Sequence, residues 1–250
     1  MTQCLLEIFI HTEEHFLDDS ALAELIELAK ASNIKLTPCD KKESILSFDG
    51  EVKMTSDSGS FSLDWVDQLR RHMKKNYSLK SEPLAKALGV TNKQKDFKVI
   101  DCTFGTGKDA ILLLSFGVEI IGMERNPHVF ILALDSYRKA CLDEEYSELF
   151  KSGLSLRFGM AIDEEFQSGE EMIAYFDPMY PVKKKKALPR KEMQVFKEVV
   201  GSDNDIDEVF EKLCDKFRRV VVKRPLKSDL VDSGAISFKG KTTRYDRYGL

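Results

Sequence analysis

The chain has 250 residues, 42% of them hydrophobic and 32% charged, with a formal net charge of −4. That length suits one large domain or one domain with a small extension, and no apolar run approaches the roughly 20 residues needed to span a bilayer, so no membrane segment is expected. Its five cysteines are scattered without a C-x-x-C pair, which argues against a disulfide framework or zinc site and for reduced thiols in a cytoplasm.

The charge is uneven. From Lys183 to Leu250 there are 18 Lys and Arg against 11 Asp and Glu, a balance of +7, while the preceding part stands at −11. A basic C-terminal third on an acidic protein fits a localised polyanion-binding face; solvated lysines on surface helices fit it equally.

In chain order, residues 2–10 read as a strand, and with Glu7 interrupting the apolar stretch and no basic region before it, no signal peptide is expected. Asp18-Asp19-Ser20 sits before a helix whose apolar positions, Leu22, Leu25, Ile26 and Leu28, run to about Ala31. His11 and His15 lie four apart, but no glutamate follows His11, so no metal site is expected. Two short strand-like pieces, around Ile34 and Ser44–Phe48, are separated by turn residues, and Thr55 to Ser60 has the composition of a linker. These features predict a small α+β subdomain over residues 1–58 and a main domain over 59–250.

Leu63 to Tyr77 reads as a basic amphipathic helix, either a connector with a wet basic side or a gate over substrate or cofactor. A second short helix begins at Glu82-Pro83 and ends at Gly89. The stretch from Lys98 to Asp109 then organises the rest. A short apolar run ends in Asp101, a turn carries Gly105 and Gly107, and Ala110-Ile-Leu-Leu-Leu opens a helix. Strand, glycine turn and helix in that order are how a doubly wound α/β sheet offers backbone N–H groups to a nucleotide-like ligand. The spacing is G-x-G-x-D, not G-x-G-x-x-G, and Asp101 and Asp109 would repel a pyrophosphate. A cationic ligand without phosphate, such as S-adenosylmethionine, suits the turn better than NAD.

Val118 to Glu124 reads as the next strand, and its terminal carboxylate, about 20 residues past the turn, is placed to hold a ribose hydroxyl pair. A helix from Val129 to Ala140 and a strand at Leu154–Gly159 follow, then Met160-Ala161. Ile173 to Phe176 is an apolar strand ending in Asp177-Pro178-Met179-Tyr180-Pro181. A carboxylate, a rigid turn and an aromatic ring at a strand end can hold a planar ring bearing an exocyclic amine, the ring on Tyr180 and the amine on Asp177 and a carbonyl held by Pro178. Lys183–Lys186 precede helices at about 189–200 and 205–217, then a buried-type strand at Val220 with a basic exit, and two closing strands form a hairpin pair.

Asp101-Cys-Thr-Phe-Gly-Thr-Gly-Lys-Asp-Ala, Met123-Glu-Arg-Asn-Pro, Phe176-Asp-Pro-Met-Tyr-Pro, Lys191-Glu-Met, Val222-Lys-Arg-Pro and Lys241-Thr-Thr-Arg-Tyr-Asp together resemble the RsmJ family. These are S-adenosylmethionine-dependent methyltransferases acting on N2 of a guanine in small-subunit ribosomal RNA. The resemblance spans about Glu82 to Tyr248. It implies a class I methyltransferase (Rossmann-like) α/β fold: a seven-stranded, mostly parallel sheet with a terminal antiparallel strand. By matching positions it puts cofactor contacts on Lys108, Asp109, Glu124, Arg125, Met160, Ala161 and Asp177, beside Asp101, Gly105 and Gly107 of the turn. Two positions depart from the family: a serine pair is replaced by Met160-Ala161, and a glycine-rich segment is replaced by Tyr77 to Ser81.

The expected chemistry is direct in-line methyl transfer without a metal. Asp177 would accept from the guanine amine beside Pro178, and Tyr180 would stack on the extruded base. Lys183, Lys184, Lys185, Lys186, Arg190, Lys223, Arg224, Lys241 and Arg244 are expected to bind phosphates of ribosomal RNA or of the assembled small subunit. A monomer is expected, since no stretch reads as a dimer seam. Methylation of another amine, such as a protein glutamine, and a non-catalytic RNA-binding or ribosome-assembly role stay open at this point.

Overall fold

The computed structural model describes residues 5–75, 79–90, 97–166, 171–180, 190–228 and 230–249. It opens with β1 (Leu6–Thr12), α1 (Ser20–Ala31), β2 (Ile34–Cys39), β3 (Leu46–Phe48), β4 (Val52–Ser56) and β5 (Gly59–Phe61). Next come α2 (Trp65–Lys75), α3 (Pro83–Leu88), β6 (Phe97–Asp101), α4 (Lys108–Leu114), β7 (Glu119–Glu124) and α5 (Pro127–Ala140). The chain ends with α6 (Ser147–Gly153), β8 (Leu154–Phe158), β9 (Glu171–Phe176), α7 (Lys191–Val200), α8 (Ile206–Lys216), β10 (Arg219–Pro225), β11 (Ile236–Lys239) and β12 (Thr243–Gly249).

Local chemistry explains most boundaries. Asp19 caps α1 by accepting from the Ala21 N–H at 2.7 Å. Asn126 caps α5 by accepting from His128 and Val129 N–H, and Pro127 fills the first helical position, where its missing donor costs nothing. Gly89 stops α3 in a left-handed conformation.

The N-terminal residues form a five-stranded sheet in the order β2-β1-β3-β4-β5. Thr55 to Ser60 is therefore no linker. It is a hairpin in which Ser56 faces Gly59 across a two-residue turn, for which small polar residues are as well suited as for a linker. The sheet runs on through β5 to Phe61.

The larger sheet has seven strands in the order β11-β12-β10-β9-β6-β7-β8. From β10 through β8 every pairing is parallel, while β12 runs antiparallel to both β10 and β11. Period-two alternation sends successive side chains to opposite faces. Val99, Ile120, Ile173, Tyr175 and Val221 join the core shared with α4, α5 and the N-terminal subdomain. Ile100, Ile121, Ala174, Phe176 and Val222 pack on the other face, with Val209, Phe210 and Leu213 of α8. A sheet covered on both faces is the doubly wound arrangement, whose ligands sit at the C-terminal strand ends where the order reverses. That point lies between β6 and β9.

Asp135 on α5, 1% exposed, bolts the subdomain to this scaffold. It accepts the Val52 N–H of β4 at 3.0 Å and pairs with Arg138 at 2.9 Å.

Candidate active site

Four strand ends, those of β6, β7, β9 and β10, and the segments after them surround a cleft of about 520 Å3, within the size range of small-molecule sites. Asp101, Gly105, Lys108, Asp109, Glu124, Arg125 and Asp177 all line it, so seven residues expected at a cofactor share one cavity. Thr106 and Lys108 line it as well, as part of its floor, and between them stands Gly107, itself not among the lining residues. Its φ of +74° favours glycine, and an added Cβ would come within 3.0 Å of Phe104.

That floor is braced by α2. The Trp65 indole N–H donates to Thr106 O at 3.0 Å, Gln68 donates to Lys108 O at 3.0 Å, and Trp65 meets Phe104 edge-on. The basic helix is thus a buttress with a wet side. Arg70 pairs with Asp143 and Arg71 with Asp67.

Glu124 is buried, yet both its oxygens are engaged: Oε2 accepts the Gly105 N–H at 2.8 Å and Oε1 the Asn126 N–H at 2.7 Å. Burial raises its carboxyl above the ordinary range and the two backbone donors oppose the rise. Burial likewise pushes Asp101 well above its usual range, and Asp109 adds to the effect. Arg125 is clamped by Asp203 and Asp205 from the α7–α8 connection, which raises its guanidinium. Met160 and Ala161 line a small recess that adjoins the cleft, with Cys102, Thr103 and Arg125 as shared walls.

Asp177 leaves the end of β9 with its N–H on Thr103 Oγ1 at 2.7 Å. Buried Pro178 stiffens the turn, and Met179 N–H is held by Asp203 at 2.6 Å. Tyr180 donates its hydroxyl to Lys223 O at 3.0 Å, and the Arg224 guanidinium lies 5.0 Å over its ring. One face of that ring is therefore already occupied.

The basic residues divide. Arg190 and Lys241 are exposed, whereas Lys183–Lys186 fall outside the described residues. Lys223 lies in the cleft, 2.7 Å from Asp109 and 2.9 Å from Asp177. Arg244 is 8% exposed and paired at 2.9 Å with Asp246. Arg224 is half-buried against Tyr180 and Ser228. Lys223 reaches from β10 to α4 and the end of β9, whereas Arg244 pairs with a residue of its own strand.

Thr103, Asp203, Met179 and the α7 residues Met193 and Phe196 were not singled out in the sequence. The register gave a usable signal only for Lys223: β10 lies beside β9 with Val222 opposite Phe176, so the residues that follow, Lys223 and Asp177, emerge as neighbours.

Chemically, the cleft offers a glycine turn and more acidic than basic side chains. S-adenosylmethionine, with a sulfonium, an ammonium and a ribose diol but no phosphate, fits that set; a pyrophosphate does not. Among the described residues no group of three or more His, Cys, Asp or Glu could hold a metal ion.

Comparison with known proteins agrees with the geometry. Residues 25–250 match the family of SAM-dependent methyltransferases. The ribosomal RNA small subunit methyltransferase J of Haemophilus influenzae is 35% identical over 242 residues, 92% of each chain. That of Bdellovibrio bacteriovorus is 37% identical over 188 residues, 73% of each. A solved SAM-dependent methyltransferase from Neisseria gonorrhoeae has a TM-score of 0.69 at 26% identity, covering 97% of this chain and 95% of the other. The chain uses S-adenosylmethionine as methyl donor and belongs to the ribosomal RNA small subunit methyltransferase J family.

Proposed function

We propose that this enzyme methylates the exocyclic N2 amine of a guanine in small-subunit ribosomal RNA, acting as a monomer in the cytoplasm. The observation that carries the reading is the Asp177-Pro178-Met179-Tyr180 turn, set at the rim of the glycine cleft with Asp177 tethered through its backbone and one oxygen. Asp177 Oδ1 has no hydrogen-bond partner among the described residues.

Bound in the cleft, S-adenosylmethionine supplies an electrophilic methyl group. Glu124 would hold the ribose hydroxyls with the lone pairs that Gly105 and Asn126 leave free. Gly105 and Gly107 would admit the ligand close to the backbone, and Arg125, Met160 and Ala161 would help to hold it. A guanine amine is a weak nucleophile because its lone pair is delocalised into the ring. Asp177 accepts one of its hydrogens, localises that pair on nitrogen, and takes the proton the amine gives up. Tyr180 offers its free ring face to the extruded base. Arg190 and Lys241 contact phosphates at the exposed surface.

The test is methyl incorporation from labelled S-adenosylmethionine into small ribosomal subunits lacking this modification, with deproteinised RNA alongside. Wild type yields N2-methylguanosine and Asp177→Ala does not. Label in another nucleoside, or none in either substrate from a protein that binds S-adenosylhomocysteine, overturns the substrate assignment and leaves the cofactor assignment standing.

A further inference from the structure

We propose that Lys223 is the positioning residue for Asp177: its ammonium group, shared with Asp109, fixes one oxygen of the Asp177 carboxylate and so presents the other to the substrate amine. The proposal rests on the reading of Asp177 as the amine's acceptor.

The geometry is a chain of hydrogen bonds across three elements. Lys223 Nζ donates to Asp177 Oδ2 at 2.9 Å and to Asp109 Oδ2 at 2.7 Å. The same Asp109 oxygen accepts the hydroxyl of Tyr175, a side chain 1% exposed, at 2.5 Å. The Lys223 backbone is pinned in turn, because its carbonyl accepts the Tyr180 hydroxyl at 3.0 Å. Asp177 is thereby held at its N–H by Thr103 and at Oδ2 by Lys223, which leaves Oδ1 as the oxygen with no partner among the described residues.

Charge makes Lys223 necessary as well as convenient. Asp177 faces Asp109 on α4, Asp101 at the end of β6, Asp203 on the α7–α8 connection, and the phenols of Tyr175 and Tyr180. Burial raises its carboxyl to about 6, with Asp109 and Asp203 contributing, and Lys223 pulls the other way. A protonated Asp177 could not take a proton from the amine. For Lys223, burial favours the neutral form, but Asp109 and Asp177 outweigh it and keep the ammonium charged. Arg125 is engaged by Asp203 and Asp205, so Lys223 is the cation bonded to Asp177, and removing it takes away what holds Asp177 ionised. The acid limb of activity must then move to higher pH. Removing the Asp109 charge takes away a raising influence, so the limb must move to lower pH.

The experiment is a pH profile of kcat at saturating S-adenosylmethionine and RNA for wild type, Lys223→Met, Lys223→Arg and Asp109→Asn. Calorimetric binding of S-adenosylhomocysteine reports that each variant is folded. Lys223→Met is expected to shift the acid limb upward by about 1–3 pH units, the range for loss of a paired opposite charge. Lys223→Arg restores most of the wild-type limb, and Asp109→Asn moves it downward. A wild-type limb in Lys223→Met that still binds S-adenosylhomocysteine overturns the proposal. If that variant does not fold, an unmoved or upward limb in Asp109→Asn overturns it instead. Asp177→Asn separates the two readings. Full activity there defeats the role of Asp177 itself, whereas an inactive Asp177→Asn beside an unshifted Lys223→Met defeats only that of Lys223.

Discussion

Glu124→Gln is the sharpest test of how the cleft holds its cofactor. In the wild type each carboxylate oxygen accepts one backbone N–H, from Gly105 at 2.8 Å and from Asn126 at 2.7 Å. An amide of the same shape has one acceptor and one donor end, so one of the two backbone donors must face an NH2 group. An unpaired buried donor costs about 1–3 kcal/mol, which lowers the melting temperature of the ligand-free protein. The second loss is at the ligand, where ribose hydroxyls no longer meet a charged acceptor. Hydrogen bonds to a charged group contribute about 1.5–3 kcal/mol, which corresponds to roughly 10–150-fold in affinity. Calorimetric titration with S-adenosylhomocysteine reads that change directly, and thermal unfolding of the same sample reads the first loss. A dissociation constant within about threefold of wild type, less than 1 kcal/mol, would refute the ribose-acceptor role.

Gly122→Ala puts a Cβ 2.3 Å from Phe104 Cδ2 and forces the ring into the glycine turn it supports. Overpacking of this kind costs about 1–3 kcal/mol, and the double variant with Phe104→Leu should recover part of the melting temperature that the single variant loses. Asp135→Ala leaves Arg138, 6% exposed, and the Val52 N–H without their shared acceptor. Breaking a buried pair in this way costs about 3–5 kcal/mol in chemical denaturation, and protease sensitivity should rise first in the N-terminal sheet. Arg190→Glu and Lys241→Glu should weaken RNA binding and each flatten its dependence on log salt by about one counterion. Arg244→Gln should lower thermal stability and leave the salt slope unchanged, since Asp246, 0% exposed, would lose its cationic partner and keep only the Ser237 hydroxyl.

Much of the fold could be read from local chemistry. The apolar runs at Val99, Ile120, Ile173 and Val220 are buried on both faces of the sheet and announce themselves as short strands. Asn126-Pro127 and Glu82-Pro83 mark helix starts for reasons that need no tertiary context. Signals that were ambiguous in principle failed. Ser56 to Gly59 has one composition for a linker and a hairpin, and only the partner strand decides between them. The short α6, seven residues packed through Phe150, is too brief for its periodicity to register. In the cleft, Asp101, the glycine turn, Glu124 and Asp177 were legible because each ends a strand or opens a helix in a known order. Thr103, Asp203 and Trp65 were not, since their roles depend on contacts 20 to 75 residues distant: Thr103 with Asp177, Asp203 with Met179 and Trp65 with Thr106.

The basic C-terminal third is the case where composition alone misleads. A balance of +7 over Lys183 to Leu250 counts every lysine and arginine as though it faced solvent. Strands β10 and β12, however, pair in register with Lys223 opposite Tyr245 and Arg224 opposite Arg244, inside a sheet whose faces are covered. Their cations must find internal anions. Lys223 finds Asp109 and Asp177, and Arg244 finds Asp246. Buried ionised groups of one sign are tolerated only when paired, so part of the apparent polyanion-binding charge is the counter-charge of the active site. Removing those pairs from the tally shrinks the phosphate-binding face to fewer, truly exposed cations. The salt dependence of RNA binding should then report that smaller number, and a slope matching all the basic residues of the segment would show that Lys223 and Arg244 leave their partners when RNA binds.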